Sequence, residues 1–133
     1  MYLIDTDVLI WVLRGNKIYE DFIQDLKDKG PLSISTVTIA EIYKNIYPSE
    51  LIKTENVLNE LQTWDVNSSI AKQAGLYWQE YIKKLKDLSL TDCLIAATAN
   101  VNNLGLVSLN RKHFPMNDIT VLNPNSGFIG RGE

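Results

Sequence analysis

Two aspartates, Asp5 and Asp7, interrupt the apolar run LIDTDVLI near the start of the chain. An ionised carboxylate at the end of a short apolar strand is costly unless a partner compensates it or it takes up a proton. Three explanations are open. It is a helix cap with no chemistry, a phosphoryl-accepting aspartate of the DxD kind, or one arm of a metal site. Further polar residues stand at comparable places: Glu41 in TVTIAEIYK, Asp92 at the head of DCLIAATAN, and Asn110 directly after LVSL.

The elements around them decide how these residues are placed. Short apolar strands are expected at Tyr2 to Ile4, Leu32 to Ser35, Trp64 to Val66, Leu106 to Leu109 and Ile119 to Leu122. Helical patterns are expected at Asp7 to Leu13, Tyr19 to Lys27, Ile39 to Tyr47, Leu51 to Leu61, Ile70 to Leu85 and Cys93 to Asn102. This alternation predicts an α/β fold with a mostly parallel central sheet covered by helices on both faces. Sites in such sheets form outside the carboxyl ends of the strands. Asp5, Glu41 and Asn110 all follow strands at that edge. Asp92 shares its helix face with Ile95, Ala96 and Ala99, so its carboxylate sits above the buried stripe and is aimed at the same edge.

Taken singly, each acid reads most simply as a cap. Thr38-Ile39-Ala40-Glu41 and Ser89-Leu90-Thr91-Asp92 resemble capping boxes, and first-turn acids suit the helix dipole. Taken jointly they do not. Two carboxylates about 4 Å apart repel by about 4 kcal/mol at an effective dielectric of 20, so a converging group needs a shared proton or a cation. Donors that are all carboxylate or amide oxygen suit Mg²⁺ or Mn²⁺. One Cys and one His give no zinc spacing.

Composition bounds the rest. A chain of 133 residues with 45% hydrophobic and 22% charged residues is expected to form a single globular domain over residues 1–133, with no internal repeat or linker. The lone Cys93 cannot make an internal disulfide and no secretory leader is evident, so a cytoplasmic location is expected. No apolar run approaches the roughly 20 residues of a membrane span. A net charge of −3 excludes a broadly basic nucleic-acid binder and confines any such contact to one face.

The motifs LIDTDVLI, TVTIAEIYK, LTDCLIAATAN and VSLNRKHFP, in that order over nearly the whole chain, resemble those of the PIN-domain family, specifically its VapC-type toxin ribonucleases. The resemblance implies an Mg²⁺- or Mn²⁺-dependent endoribonuclease acting on RNA of the tRNA or rRNA class. It also implies a homodimer and a cognate antitoxin protein that blocks the site. The family's acidic cluster falls on Asp5, Glu41 and Asp92. Its fourth position falls on Asn110, where many members carry an acid, so the number of metal ions stays open. On this reading Asp5 and Asp92 hold the metal, Glu41 positions or deprotonates water, and Asn110 offers its amide to the metal or to the substrate. Arg111 and Lys112 are the expected phosphate-binding pair.

Neighbouring residues have plainer readings. Thr6 is expected to cap, and Asp7 to be a first-turn helix acid without a part in the chemistry. His113 reads as structural and Cys93 as buried, and Lys83, Lys84 and Lys86 as compensation of a helix end. Most aromatics read as core or as contact with a second copy, near Tyr43 and Trp78. Three rivals remain: a phosphatase of the haloacid dehalogenase type using Asp5 and Asp7, a receiver-like signalling domain, and an inactive PIN-like module that only binds RNA or a partner. The first lacks a later acidic pair, and the second lacks an acceptor Asp after Leu32 to Ser35.

Overall fold

A computed structural model of the chain describes residues 1–126; residues 127–133, the end of the expected domain, lie outside the described residues. Five parallel strands form one sheet in the order β3-β2-β1-β4-β5. They are β1 (Tyr2–Ile4), β2 (Leu32–Ser35), β3 (Gln62–Trp64), β4 (Gly105–Val107) and β5 (Thr120–Leu122). Six helices connect and cover them: α1 (Thr6–Leu13), α2 (Lys17–Lys27), α3 (Thr36–Tyr43), α4 (Leu51–Asn59), α5 (Ser68–Tyr81) and α6 (Leu90–Asn102). This is the α/β architecture expected from the alternation of apolar strands and helices.

The strands are buried on both faces because their side chains alternate across the sheet. Leu3 and Leu106 face a core built with Ile70, Tyr77, Ile95 and Ala96 from α5 and α6. Ile4 and Val107 face the opposite core, with Val8, Leu9, Phe22, Leu26 and Leu58 from α1, α2 and α4. Small residues at Ala96, Ala97 and Ala99 let α6 lie close to its neighbours, and each of them is at most 1% exposed.

Several boundaries differ from expectation, each for a local reason. β3 occupies Gln62–Trp64 rather than Trp64 to Val66, pairing Ser33 with Gln62 and Ser35 with Trp64. It is an edge strand with polar, exposed residues, so an apolar run marks only its end. α3 begins at Thr36 with no intervening loop, because the Ser35 hydroxyl accepts from Val37 N–H at 3.0 Å. Thr38 and Glu41 are therefore not a capping box, and Glu41 lies in the second turn. α6 starts on Ser89, whose hydroxyl accepts from Asp92 N–H, as the sequence suggested. It ends on Asn103 in the left-handed conformation, φ 58°.

Strand order is what positions the site. Successive strands are added outward from β1 on one side as far as β3 and on the other side from β4, so the order switches between the parallel neighbours β1 and β4, where Leu3 pairs with Leu106 and Ile4 with Val107. Ligands of open parallel sheets bind at such a switch point, outside the carboxyl ends of the strands. Asp5 follows β1, and Ser108 to Asn110 follow β4.

Candidate active site

Directly after β1, Asp5 N–H donates to Val107 C=O at 2.8 Å, so the carboxylate is anchored to the neighbouring strand before α1 begins. One carboxylate oxygen, Oδ1, accepts from Thr6 N–H at 2.8 Å and makes Asp5 the N-cap of α1. The other, Oδ2, accepts from Ser108 Oγ at 2.7 Å. Asp5 is only 6% exposed. Its pKa is pushed up to about 7, first by burial and next by the charge of Asp7, against the opposing hydrogen bonds from Ser108 and Thr6.

Thr6 does not cap. Its hydroxyl donates to Glu41 Oε1 and lies 3.2 Å from Thr38 Oγ1. A hydroxyl carries one proton; with that proton on Glu41, the Thr38 hydroxyl must be the donor of the second contact. The chain Thr38, Thr6, Glu41 thus fixes the α3 carboxylate over the first turn of α1. Asp92 approaches from α6, its carboxyl raised above the usual range by burial and partly restored by Ser89 and His113. His113 Nδ1 stands 3.6 Å from Asp92 Oδ2.

These groups line one open cleft of about 250 Å³ at the switch point, with Asp5, Thr6, Asp7, Glu41, Asp92, Asn110 and His113 on its walls and Lys44 and Asn45 beside them. Asp5, Glu41, Asp92 and Asn110 therefore meet as their positions along the sheet edge implied. Two side chains have more contact with the cleft than their plain readings require. Asp7 is the first-turn acid of α1 as expected, and it also faces the cleft: its carboxylate accepts from Asn110 Nδ2 at 2.8 Å and, more weakly, from Leu109 N–H at 3.5 Å. Its pKa is raised by burial against those bonds, with the charge of Asp92 adding to the rise. His113, read from sequence as structural, lines the cleft beside Asp92. From the 3₁₀ turn Arg111–His113 it is His113 that lines the cavity, with Arg111 half-buried and Lys112 exposed on the same turn.

Sequence reasoning overlooked Lys44 and Asn45, which enter the cleft from the end of α3. Helical spacing from Glu41 offered the one available signal, since residues three and four further on share its side. Cys93 is buried, as expected, with its thiol pushed up to about 11 by burial.

The donor set at this cleft is hard oxygen, and it carries more negative charge than its hydrogen bonds offset. Among the described residues no three Asp, Glu, His or Cys side chains close on one cation position. Mg²⁺ is commonly held by only one or two carboxylates with water completing its shell, a donor set these residues can supply.

The PIN-domain family model matches residues 2–118. Ribonuclease VapC10 of Mycobacterium tuberculosis is 37% identical over 116 residues, covering 87% of each chain. Ribonuclease VapC2 of Haemophilus influenzae is 30% identical over 118 residues, covering 85% of this chain and 89% of the relative. In shape the chain is similar to VapBC2 of Rickettsia felis, solved with a fragment of promoter DNA, at a TM-score of 0.81 and 22% identity over 92% of this chain and 97% of that one. It is also similar to a toxin-antitoxin complex of Klebsiella pneumoniae, at a TM-score of 0.76 and 27% identity over 93% and 98%.

Proposed function

Because this chain belongs to the PIN-domain family, alongside VapC ribonucleases, we propose that it is the toxin of a toxin-antitoxin pair, an endoribonuclease that hydrolyses RNA phosphodiester bonds in the cleft at the β1–β4 switch point. The observation that carries this reading is the convergence of Asp5, Glu41 and Asp92, from three separate elements, on one cleft with Asp5 buried and short of compensating charge. Family membership also argues against the phosphatase and receiver alternatives. A cytoplasmic, membrane-free setting belongs to the same proposal; no helix among the described residues is long and apolar enough to cross a membrane.

Asp5 and Asp92 are the residues that would hold Mg²⁺ or Mn²⁺. When bound, such an ion lowers the pKa of its water and places positive charge beside the phosphate. Glu41 takes the proton of the attacking water. Its Oε1 accepts from Thr6, which orients the carboxylate and leaves the other oxygen to act as the base. Ser108 and the α1 backbone hold Asp5 in one rotamer, so the ligand needs no reorganisation. Lys44 on the wall, with Arg111 and Lys112 on the adjoining turn, supplies cationic groups for RNA phosphates, and His113 offers a hydrogen-bonding ring beside them. A cognate antitoxin and a second copy of the chain complete the proposed assembly.

The test is direct. Purified full-length protein is incubated with total RNA and with tRNA, in Mg²⁺, in Mn²⁺ and in chelator, beside Asp5→Asn and Asp92→Asn. Metal-dependent cleavage lost in both variants is expected. Cleavage that persists in chelator, or in both variants, would sink the metal-site account. RNA binding without cutting would favour an inactive binding module.

A further inference from the structure

The turn that follows β4 is tied to the LIDTDVLI segment twice, in matching register. Asp5 takes the hydroxyl of Ser108 at 2.7 Å, and two residues further along both segments Asp7 takes the amide of Asn110 at 2.8 Å. The Ser108 hydroxyl also accepts from Asn110 N–H at 3.0 Å, so both ties bear on the same short loop. Building on the ribonuclease reading above, we infer that Asp7 is a positioning residue for the reaction: by gripping Asn110 it sets where His113 stands in the acid cleft and where Arg111 and Lys112 stand on the turn beside it.

Three observations support this. First, Asp7 is not the cap of α1; Asp5 is. Beyond its own first turn, the hydrogen-bond partners of Asp7 are Leu109 and Asn110, more than a hundred residues away in the chain. Second, Asn110 sits at the N-cap position of the 3₁₀ turn Arg111–His113, where an asparagine ordinarily accepts from the N–H groups of the turn it precedes. It makes no such side-chain cap, and its amide is committed to Asp7 instead. Third, the far end of the turn is held by Phe114, buried in the core, and by His113 beside Asp92, whereas the backbone bonds of the turn do not tie its Asn110 end to the rest of the fold. His113 N–H reaches Asn110 C=O at 2.9 Å and Phe114 N–H reaches Arg111 C=O at 3.0 Å, and both bonds stay inside the turn.

A hydrogen bond with one charged partner is stronger and more directional than a neutral one, and suits a surface loop that must hold side chains in register with a substrate. The same geometry gives Asn110 a part in the site that requires no metal ligation. One N–H of its amide is engaged by Asp7, and its contribution is the orientation of the three residues after it.

The experiment is a double-mutant cycle on RNA cleavage by the full chain. Asp7→Ala and Asn110→Ala should each lower kcat/KM about tenfold, mainly through KM, and the double variant should also lose about tenfold instead of the hundredfold of independent residues. Asn110→Asp, which sets two carboxylates face to face, should be the most damaged single variant. Adding Asp7→Asn to it restores a donor-acceptor pair with reversed polarity and should return activity to within about threefold of the parent. A residue that only supports the fold would show neither the KM-dominated loss nor the rescue. Multiplicative losses in the cycle, full activity in Asn110→Asp, or no rescue by the exchange would overturn the inference while leaving the ribonuclease reading intact. Absence of cleavage by the parent chain would overturn both.

Discussion

Ser108 Oγ donates to Asp5 Oδ2 across the β1–β4 switch point, and both residues are buried, at 0% and 6% exposure. The serine therefore stands between the deepest carboxylate of the cleft and the loop after β4. Replacing it with alanine strips Asp5 of a donor and leaves Asn110 N–H without its acceptor. Ser108→Ala should destabilise the fold by about 1–3 kcal/mol in denaturant unfolding and reduce RNA cleavage. A change below about 0.5 kcal/mol would mean that water replaces the hydroxyl at no cost.

The raised carboxyls make stability depend on pH in a definite direction. Asp5 titrates at about 7 in the folded chain against 3.8 as a free side chain, and Asp7 and Asp92 are shifted the same way. Between those values the folded state holds protons that the unfolded state has released, so stability falls as pH rises through that window. In chelator, the protein should melt at a lower temperature at pH 8 than at pH 5. Mg²⁺ or Mn²⁺ should raise the melting temperature more at pH 8, because a cation binds the deprotonated acids. Asp5→Asn should abolish cleavage yet raise the metal-free melting temperature at pH 8 by about 2–8 °C and flatten its pH dependence. Melting of that variant below the parent at pH 8 would contradict the charge account.

Thr6 acts on Glu41 through a hydroxyl proton, which separates two substitutions of similar size. Thr6→Val removes the donor and should slow cleavage by about tenfold or more, because a misplaced base loses most of its advantage. Thr6→Ser keeps the donor and should retain most of the activity. Thermal melts of both should stay within a few degrees of the parent, since Thr6 is only half-buried. Equal loss in the two variants would show that the methyl group, not the hydroxyl, matters here.

Much of this site was legible because it is local. Asp5 at the end of Tyr2-Leu3-Ile4, and Asp92 three residues after Ser89 at the head of an apolar helix, are placed by strand period and by capping chemistry, both of which operate over a few residues. The start of α3 is not legible in the sequence because Ser35 serves at once as the last strand residue and as the helix cap, a double use that leaves no loop to read. The contact between Asp7 and Asn110 is hidden in the sequence for a different reason. A first-turn acid has a sufficient local explanation in the helix dipole, and nothing nearby in sequence hints that Asn110 will stand against it.

The amino-acid sequence by itself determined the alternation of buried strands and helices, the oxygen-rich set of residues at the strand ends, and the family. Only the tertiary structure decided which ends are neighbours. The order β3-β2-β1-β4-β5 sets β1 beside β4, and that adjacency creates Asp5–Ser108 and Asp7–Asn110, while the packing of α1 on α3 creates Thr6–Glu41. Periodicity says which residues share a face. What that face meets is fixed by the simultaneous packing of both cores, which no local stretch of sequence encodes.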